Sequence, residues 1–351
     1  MKGSHAYASM PIDALYRWFA GEADPTSPVW GALCRWIAGD EALCARLDAL
    51  PGGKRQPNLF LAALRYHGAP TLEGGPAFAA WVDAHWDALR ATILARFTQT
   101  NEPGRCAVLA PILASLPQPI ALLEVGASAG LCLIPDRYRY RQPWGDVIAT
   151  GATVAPASCR PAGRSGLVLD CAMTGRPPGN PADLVIAHRA GLDAHPLAAA
   201  DPGDARWLRA LVWPGEHARE ARLATALQIA ASDPPPVRTG RLPEDLDAFL
   251  AEGLAAAEAA GATPVLMHSA TLAYLPRDER DAVVETIGAS GVRWLSFEGP
   301  SVVTSLRGRL PDDPRPHFIA ALDGEPVARC SPHGGWADWL DGVPVGAPDP
   351  R

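Results

Sequence analysis

Residues 122–130 read Leu-Leu-Glu-Val-Gly-Ala-Ser-Ala-Gly, an apolar strand that runs into a turn of small residues. Two kinds of chemistry are compatible with this segment. Small residues at Gly126, Ser128 and Gly130 let the backbone approach a ligand, a helix that starts after them offers free N–H groups to an anion, and Glu124 can orient the ligand. The same residues also form a literal Gly-x-Ser-x-Gly, in which Ser128 would be a hydrolytic nucleophile.

The residues around this segment favour the first chemistry. Glu124, followed by Gly126, Ser128 and Gly130 where three glycines are usual, resembles the first motif of S-adenosylmethionine-dependent methyltransferases. A hydrolase elbow requires several preceding strands and an oxyanion loop, whereas the sequence before residue 118 has a helical pattern. We therefore predict a cofactor turn at these residues, and a serine hydrolase using Ser128 is the less favoured alternative.

Later strand ends supply further candidates for cofactor binding. Asp193 follows an apolar run that starts at Asp183, and an acid there can accept hydrogen bonds from both ribose hydroxyls. Asp193 lies beyond the roughly 20 residues usual after the glycine turn, and an insertion at residues 131–182 accounts for that distance. The alternative is that Asp193 only opens a turn. Gly240 follows the third strand, but its neighbour Arg241 cannot accept a hydrogen bond from the adenine amino group.

The fourth strand, residues 263–268, leads into the candidates for contact with the methyl acceptor. In methyltransferase-like sheets this strand end faces the transferred group, so His268 and Tyr274 are predicted catalytic residues and Ser269 a cofactor contact. The alternative for His268 is a buried imidazole held by hydrogen bonds. No metal site is predicted, because the seven cysteines are scattered without a Cys-x-x-Cys pair.

These candidates need a sheet to position them. Helical spacing of apolar residues predicts helices over 11–20, 28–38, 57–66 and 76–97. From residue 120, strand-like and helix-like segments alternate, which is typical of an α/β sheet, and Asp323-Gly324 is a hairpin turn signal between the last two strands. We predict a helical cap domain over 1–118. Over 119–351 we predict an α/β, Rossmann-like, methyltransferase-type sheet of seven strands, with a β-rich insertion, including a hairpin, at about 131–182.

Composition limits the partners. The chain has 351 residues, 48% of them hydrophobic, which is consistent with about two domains. No apolar run approaches the roughly 20 residues that span a bilayer, and the N-terminus lacks the apolar core of a signal peptide, so we expect a cytoplasmic protein. The net charge of −7 makes nucleic acid an unfavourable partner. A small-molecule substrate is expected, and the oligomeric state is left open.

Six segments spread over the chain resemble a known family. They are Lys54-Arg-Gln-Pro-Asn-Leu-Phe, Leu123-Glu-Val-Gly-Ala-Ser-Ala-Gly-Leu, Asp136-Arg-Tyr-Arg-Tyr, Arg189-Ala-Gly-Leu-Asp, Arg206-Trp-Leu-Arg-Ala-Leu-Val-Trp-Pro and Arg293-Trp-Leu-Ser-Phe-Glu-Gly-Pro. Together they resemble a bacterial family called domain of unknown function 2332. The resemblance implies no established activity; it implies an Asp after the glycine near position 240, where this chain has Arg241.

The function expected from the sequence is S-adenosylmethionine-dependent methylation of a small molecule. In that reaction proximity and in-line positioning lower the barrier, so few catalytic residues are needed. The alternative is a non-catalytic, methyltransferase-like protein whose cleft binds a ligand or a partner. Arg241 and the replacement of the middle glycine by Ser128 favour that alternative.

Overall fold

The computed structural model describes residues 10–142, 145–148 and 166–340. The chain divides into two compact units, Met1–Thr100 with Asp201–Ala224 and Asn101–Ala200 with Thr225–Arg351. The sequence predicted a boundary at residue 118. The division instead falls at residue 100, and the helical unit also takes a later segment of the chain.

The first unit is helical. Its helices are α1 (Ile12–Ala23), α2 (Pro28–Ile37), α3 (Glu41–Asp48), α4 (Pro57–His67), α5 (Pro76–Ala95), α7 (Pro202–Ala210) and the start of α8 (His217–Ser232). Proline occupies the first position of α2, α4, α5 and α7, where its missing N–H leaves no helical hydrogen bond unmade. The core of the unit contains the large side chains of Tyr16, Trp30, Phe60, Phe78 and Trp207. No helix in the described part of the chain combines the length and the apolar character needed to cross a membrane.

The second unit contains two sheets, the remainder of α8 and three further helices. The helices are α6 (Cys106–Ala114), α9 (Leu246–Ala260) and α10 (Arg277–Ala289). The large sheet consists of β1 (Ile120–Val125), β5 (Ala172–Thr174), β6 (Ile186–Asp193), β7 (Val237–Thr239), β8 (Thr263–Ser269), β9 (Arg293–Glu298), β10 (Phe318–Leu322), β11 (Glu325–Cys330) and β12 (Trp336–Trp339). A small sheet, ordered β3-β2-β4, consists of β2 (Arg139–Gln142), β3 (Gly145–Ile148) and β4 (Val168–Asp170). All nine residues of α6 are buried, and α6 contacts β4 and β10 of this unit.

The large sheet has the order β5-β12-β11-β10-β9-β8-β1-β6-β7. The five strands β7, β6, β1, β8 and β9 lie side by side and are parallel. Numbered 1 to 5 by their order along the chain, they lie in the sheet in the order 3-2-1-4-5, which is the order of doubly wound sheets. The strand order reverses beside β1, and ligands of open α/β sheets bind outside the carboxyl ends of the strands at such a point. The fold therefore places the ends of β1, β6 and β8 where the predicted site requires them.

The α/β class is confirmed, and the strand count is corrected. The sheet has nine strands instead of the predicted seven, because β12 and β5 extend it beyond β11. The predicted hairpin of β10 and β11 is present as an antiparallel pair. Its turn residues Asp323 and Gly324 have φ values of 53° and 80°, which two-residue hairpin turns of this kind require.

The centre of the sheet is packed by α9. All six residues of β1 are buried. A Cβ atom at Gly253 of α9 would lie 2.2 Å from a methyl carbon of Leu123, so only glycine lets this helix approach β1 so closely. Phe249 and Leu250 of the same helix join the apolar core beside Leu266 of β8.

Candidate functional site

The turn after β1, residues 126–130, is held in an uncommon backbone conformation. Gly126, Ser128 and Gly130 have φ values of 72°, 52° and 68°, and Ser128 is one of three described non-glycine residues with positive φ. Asn101 supports this conformation from both sides. Its Nδ2 donates to Ser128 Oγ over 2.6 Å, and its Oδ1 accepts from the N–H of Ala129 over 3.0 Å.

Every backbone N–H of this turn donates within the protein. The N–H groups of Gly126 and Ala127 donate to the carbonyl of Leu192 over 2.8 and 3.3 Å, and that of Gly130 donates to Ala127 over 2.7 Å. The N–H of Ser128 donates to Asp193 Oδ2 over 2.8 Å, and Ala129 is bonded to Asn101. From 131 to 142 the chain forms turns, a short 3-10 helix and β2, and no α-helix. The expected helix N-terminus is therefore not present there, and the turn has no N–H group left for an anionic ligand.

Protein atoms also occupy the space that the two glycines leave. A Cβ at Gly126 would lie 2.2 Å from Thr271 Oγ1, and a Cβ at Gly130 would lie 2.5 Å from Pro235 Cγ. The small residues thus make room for neighbouring side chains. This explanation of the glycines differs from the predicted close approach of a cofactor.

Asp193 lies beside the turn, as the parallel-strand topology predicted. β6 pairs with β1, with Leu192 opposite Val125. The Asp193 carboxylate accepts from Ser128 N–H at Oδ2 and from His195 N–H at Oδ1, the latter over 2.7 Å. The N–H of Gly240 donates to the Asp193 carbonyl over 3.0 Å, which brings Gly240 to the same edge. One function of this acid is therefore to join the turn to the end of β6.

Glu124 is the most unusual acid of the site. It is 3% exposed, and its Oε2 has no hydrogen-bond partner in the part of the chain that the structure describes. Burial raises the pKa of its carboxyl well above the ordinary value, and the neighbouring Cys132 and Asp193 raise it further, while Arg105 acts in the opposite direction. A buried carboxyl of this kind has unused capacity to accept a hydrogen bond or a positive charge.

Arg105 is a buried cation that the sequence did not point to. Its Nη1 donates to the carbonyl and to Oγ of Ser269, over 3.0 and 3.1 Å, and its Nε donates to the Pro332 carbonyl over 3.0 Å. Ser269, predicted as a cofactor contact, is thus occupied by this guanidinium. Arg105 and Asn101 fall in the region predicted to be a helical cap, and no local pattern marks either of them as part of the site.

His268 and Tyr274, the two predicted catalytic residues, have different environments. Trp294 Nε1 donates to His268 Nε2 over 3.0 Å, and an indole nitrogen can only donate, so the proton of the imidazole is on Nδ1. Nδ1 then donates to Glu298 Oε1 over 2.8 Å. His268 is fully buried with both nitrogens bonded, which favours the hydrogen-bonded alternative over its prediction as a base. Tyr274, by contrast, is half exposed in the short 3-10 segment Leu272–Tyr274.

Glu298 organises the loop that follows β8. Besides His268, its Oε1 accepts the N–H groups of Thr271 over 2.8 Å and Leu272 over 3.0 Å. The side chain of Thr271 in turn occupies the space over Gly126. Glu298 therefore holds in place the residue that closes the glycine turn.

A profile of a protein family matches residues 13–339, and its description is "Uncharacterized protein conserved in bacteria (DUF2332)". The matched segment is nearly the whole chain of 351 residues. The chain belongs to the DUF2332 family. The resemblance of the six sequence segments is thereby confirmed. Comparison with curated proteins and comparison with solved structures gave no match.

The carboxyl edge of this DUF2332 protein suits one class of ligand better than another. Glu124 and Asp193 bring two acids to neighbouring strand ends, and every N–H of the turn is already used. A cationic or hydroxyl-bearing molecule is therefore favoured over an anion. Among the residues that the structure describes, no three His, Cys, Asp or Glu side chains form a group that could hold a metal ion.

Proposed function

We propose that this DUF2332 protein binds S-adenosylmethionine at the carboxyl edge of its large sheet and transfers the methyl group to a small molecule. The observation that supports this proposal is Glu124, a buried carboxyl whose Oε2 lacks a partner among the described residues. Glu124 lies next to the end of β1, where the strand order reverses and where open α/β sheets bind their ligands.

Charge complementarity links this acid to the cofactor. S-adenosylmethionine carries a positive charge on its sulfur atom. Glu124 is destabilised in its ionised form by burial and by the neighbouring Asp193, and a cation beside it would offset both effects. The turn does not supply N–H groups to the carboxylate of the cofactor, so this proposal assigns recognition to acidic side chains rather than to a glycine-rich cradle.

The residues of the edge would bind and orient and would not act as bases. When bound, S-adenosylmethionine supplies an activated methyl group on a good leaving group, and positioning supplies most of the rate enhancement. Asp193 fixes the turn against β6 through two backbone N–H groups, and Asn101 fixes the turn from the other side. A fully hydrogen-bonded histidine is compatible with a site whose residues bind and orient the ligand and do not act as bases.

The test compares two ligands that differ in charge. S-adenosylhomocysteine lacks the methyl group and the positive charge, so calorimetry should show it binding about tenfold more weakly than S-adenosylmethionine, a difference of about 1.4 kcal/mol. Glu124→Gln should remove most of that difference. Glu285→Gln, a matched change at an exposed residue of α10, should leave it intact.

Two results would contradict the proposal. One is the absence of heat and of a thermal shift with either ligand at millimolar concentration. The other is an equal affinity for the two ligands that Glu124→Gln does not change. Because ionised Glu124 binds the cation better, the affinity for S-adenosylmethionine should also increase as the pH is raised.

A second function, ligand or partner binding without methyl transfer, is favoured by the closed turn. All five N–H groups of residues 126–130 are bonded internally, and Thr271 covers Gly126. A protein of this kind would give no labelled product when incubated with methyl-labelled cofactor and a set of small acceptors, even if the cofactor binds. Detection of one labelled product would exclude this alternative.

The hydrolase alternative has its own test at Ser128. The hydroxyl of Ser128 is buried and accepts a hydrogen bond from Asn101, so we expect no labelling by a fluorophosphonate probe. Covalent labelling that disappears in Ser128→Ala would instead support a serine hydrolase.

A further inference from the structure

We propose that a pocket between α9 and the β6–β7 edge binds a small aromatic carboxylate. The cavity has a volume of about 290 Å³, and the residues that line it come from β6, from the segment at β7 and from α9. None of them belongs to the glycine turn, and neither Glu124 nor Asp193 is among them. This site is therefore separate from the carboxyl-edge site and is proposed independently of it.

The floor of the pocket is apolar and the volume fits a flat, two-ring molecule. Its side chains are Ala190, Val237, Phe249 and Ala256. A cavity of about 150 Å³ with aliphatic and aromatic walls is large enough for benzene, and this pocket is roughly twice that size. Phe249 is 2% exposed, so it closes the pocket as part of its wall, and recognition is left to the volume and to the charge at the rim.

The rim carries a cation, Arg238, that can exchange its present carboxylate partner for a ligand. Arg238 lies with its guanidinium carbon 5.4 Å from the centre of the Phe249 ring, and its Nη1 is paired with Glu252 at 2.8 Å. The two side chains are 44% and 63% exposed, so solvent screens this ion pair and it contributes little to stability. A ligand carboxylate can replace Glu252 and form the bidentate contact that guanidinium groups favour.

His188 completes the rim without adding charge. Burial lowers the pKa of its imidazole, and the nearby Arg189 lowers it further, so the ring is neutral at pH 7. Recognition of an anion in this pocket therefore depends on Arg238. The combination of one exchangeable cation with an apolar floor selects a ligand with one carboxylate on an aromatic body.

The test uses naphthoate and its uncharged analogue naphthamide with the full chain. By calorimetry, naphthoate should bind at least about tenfold more tightly than naphthamide. Arg238→Gln should abolish that preference, and Ala256→Leu, which fills the floor, should weaken both ligands. Glu252→Gln should increase the naphthoate affinity severalfold, since the internal competitor for Arg238 is removed.

A matched control is present on the same helix. Glu258 is exposed on α9 outside the pocket, and Glu258→Gln should leave the naphthoate affinity unchanged. The gain expected for Glu252→Gln cannot arise from partial unfolding, which would weaken binding. The proposal is overturned if naphthoate does not bind at millimolar concentration, if naphthamide binds equally well, or if Glu252→Gln weakens naphthoate binding.

Discussion

Two buried glutamates near the ends of parallel strands are used in different ways. Glu298, at the end of β9, accepts three donors at one oxygen, from His268, Thr271 and Leu272. Glu124, in β1, is just as inaccessible, and burial raises its pKa. The Oε2 atoms of both acids lack a partner in the described structure, so the difference lies in the three donors that Glu298 holds at Oε1. Burial alone does not reveal the role of an acid. The donors that it holds distinguish a structural acid from one with capacity for a ligand.

The largest effect should come from the structural acid. Glu298→Ala would leave the buried His268 imidazole N–H, the buried Leu272 N–H and the partly buried Thr271 N–H without an acceptor. We expect a loss of about 3 to 5 kcal/mol in the free energy of unfolding, measured by urea denaturation. Glu298→Gln retains an acceptor oxygen and should lose less. A loss below about 1 kcal/mol for the alanine variant would remove the distinction between the two acids.

The closed turn gives the next largest effect. Asn101→Ala removes the donor to Ser128 Oγ and the acceptor for the N–H of Ala129, both buried. We expect about 1 to 3 kcal/mol of destabilisation in thermal or chemical unfolding. Asn101→Asp keeps an acceptor for Ala129 and should lie between the alanine variant and the wild type. Equal stability of all three proteins would show that the turn does not depend on this side chain.

Glu124→Gln should have a smaller effect on the stability of the folded state, and it should stabilise where the previous variants destabilise. The ordinary pKa of this carboxyl is 4.5 and the folded value is higher, so the folded state binds the proton more tightly than the unfolded state. The resulting stabilisation is fully present below pH 4.5 and is lost as the pH rises through the folded pKa. Melting temperatures measured from acid to pH 8 should therefore shift progressively in favour of Glu124→Gln. A pH-independent difference would contradict the raised pKa.

Ser296→Ala should give the smallest effect. Ser296 lies on β9, as Glu298 does, and it is 1% exposed, but its Oγ has no hydrogen-bond partner among the described residues. Its removal breaks no described hydrogen bond, so we expect a change within about 1 kcal/mol in the free energy of unfolding. A larger loss in the free energy of unfolding would mean that removing a buried polar group from this strand is destabilising even when that group has no hydrogen-bond partner.

Much of the fold follows from local pattern. The run of apolar residues over 120–125 predicts a buried strand, and the structure confirms it as β1. Apolar spacing and a first-position proline together predict helices that begin at Pro57 and Pro76, and the structure confirms both. β5 and β12 have three and four residues, too few to show a period. β12 was not predicted, and β5 lies in the predicted β-rich insertion but was not predicted to join the large sheet.

The site could be predicted only in part. The position of Asp193 beside the turn follows from the pairing of consecutive parallel strands. The contacts of Asn101 and Thr271 with the turn join residues that are far apart in sequence, and no local pattern reports them. A small residue in a sequence also does not reveal whether it makes room for a ligand or, as Gly126 does, for a threonine.

The position of β1 in the sheet has a consequence for biosynthesis. Ile120 pairs with Ile186 and with Thr263, so both neighbours of this strand are translated after it. Until they emerge from the ribosome, the segment Ile-Ala-Leu-Leu-Glu-Val is an unpaired apolar strand, the kind of segment that associates with other chains. Glu124 is its only charge, and in the nascent chain that carboxylate is hydrated and ionised. We therefore expect Glu124→Gln to aggregate more during refolding, even where its folded state is the more stable one.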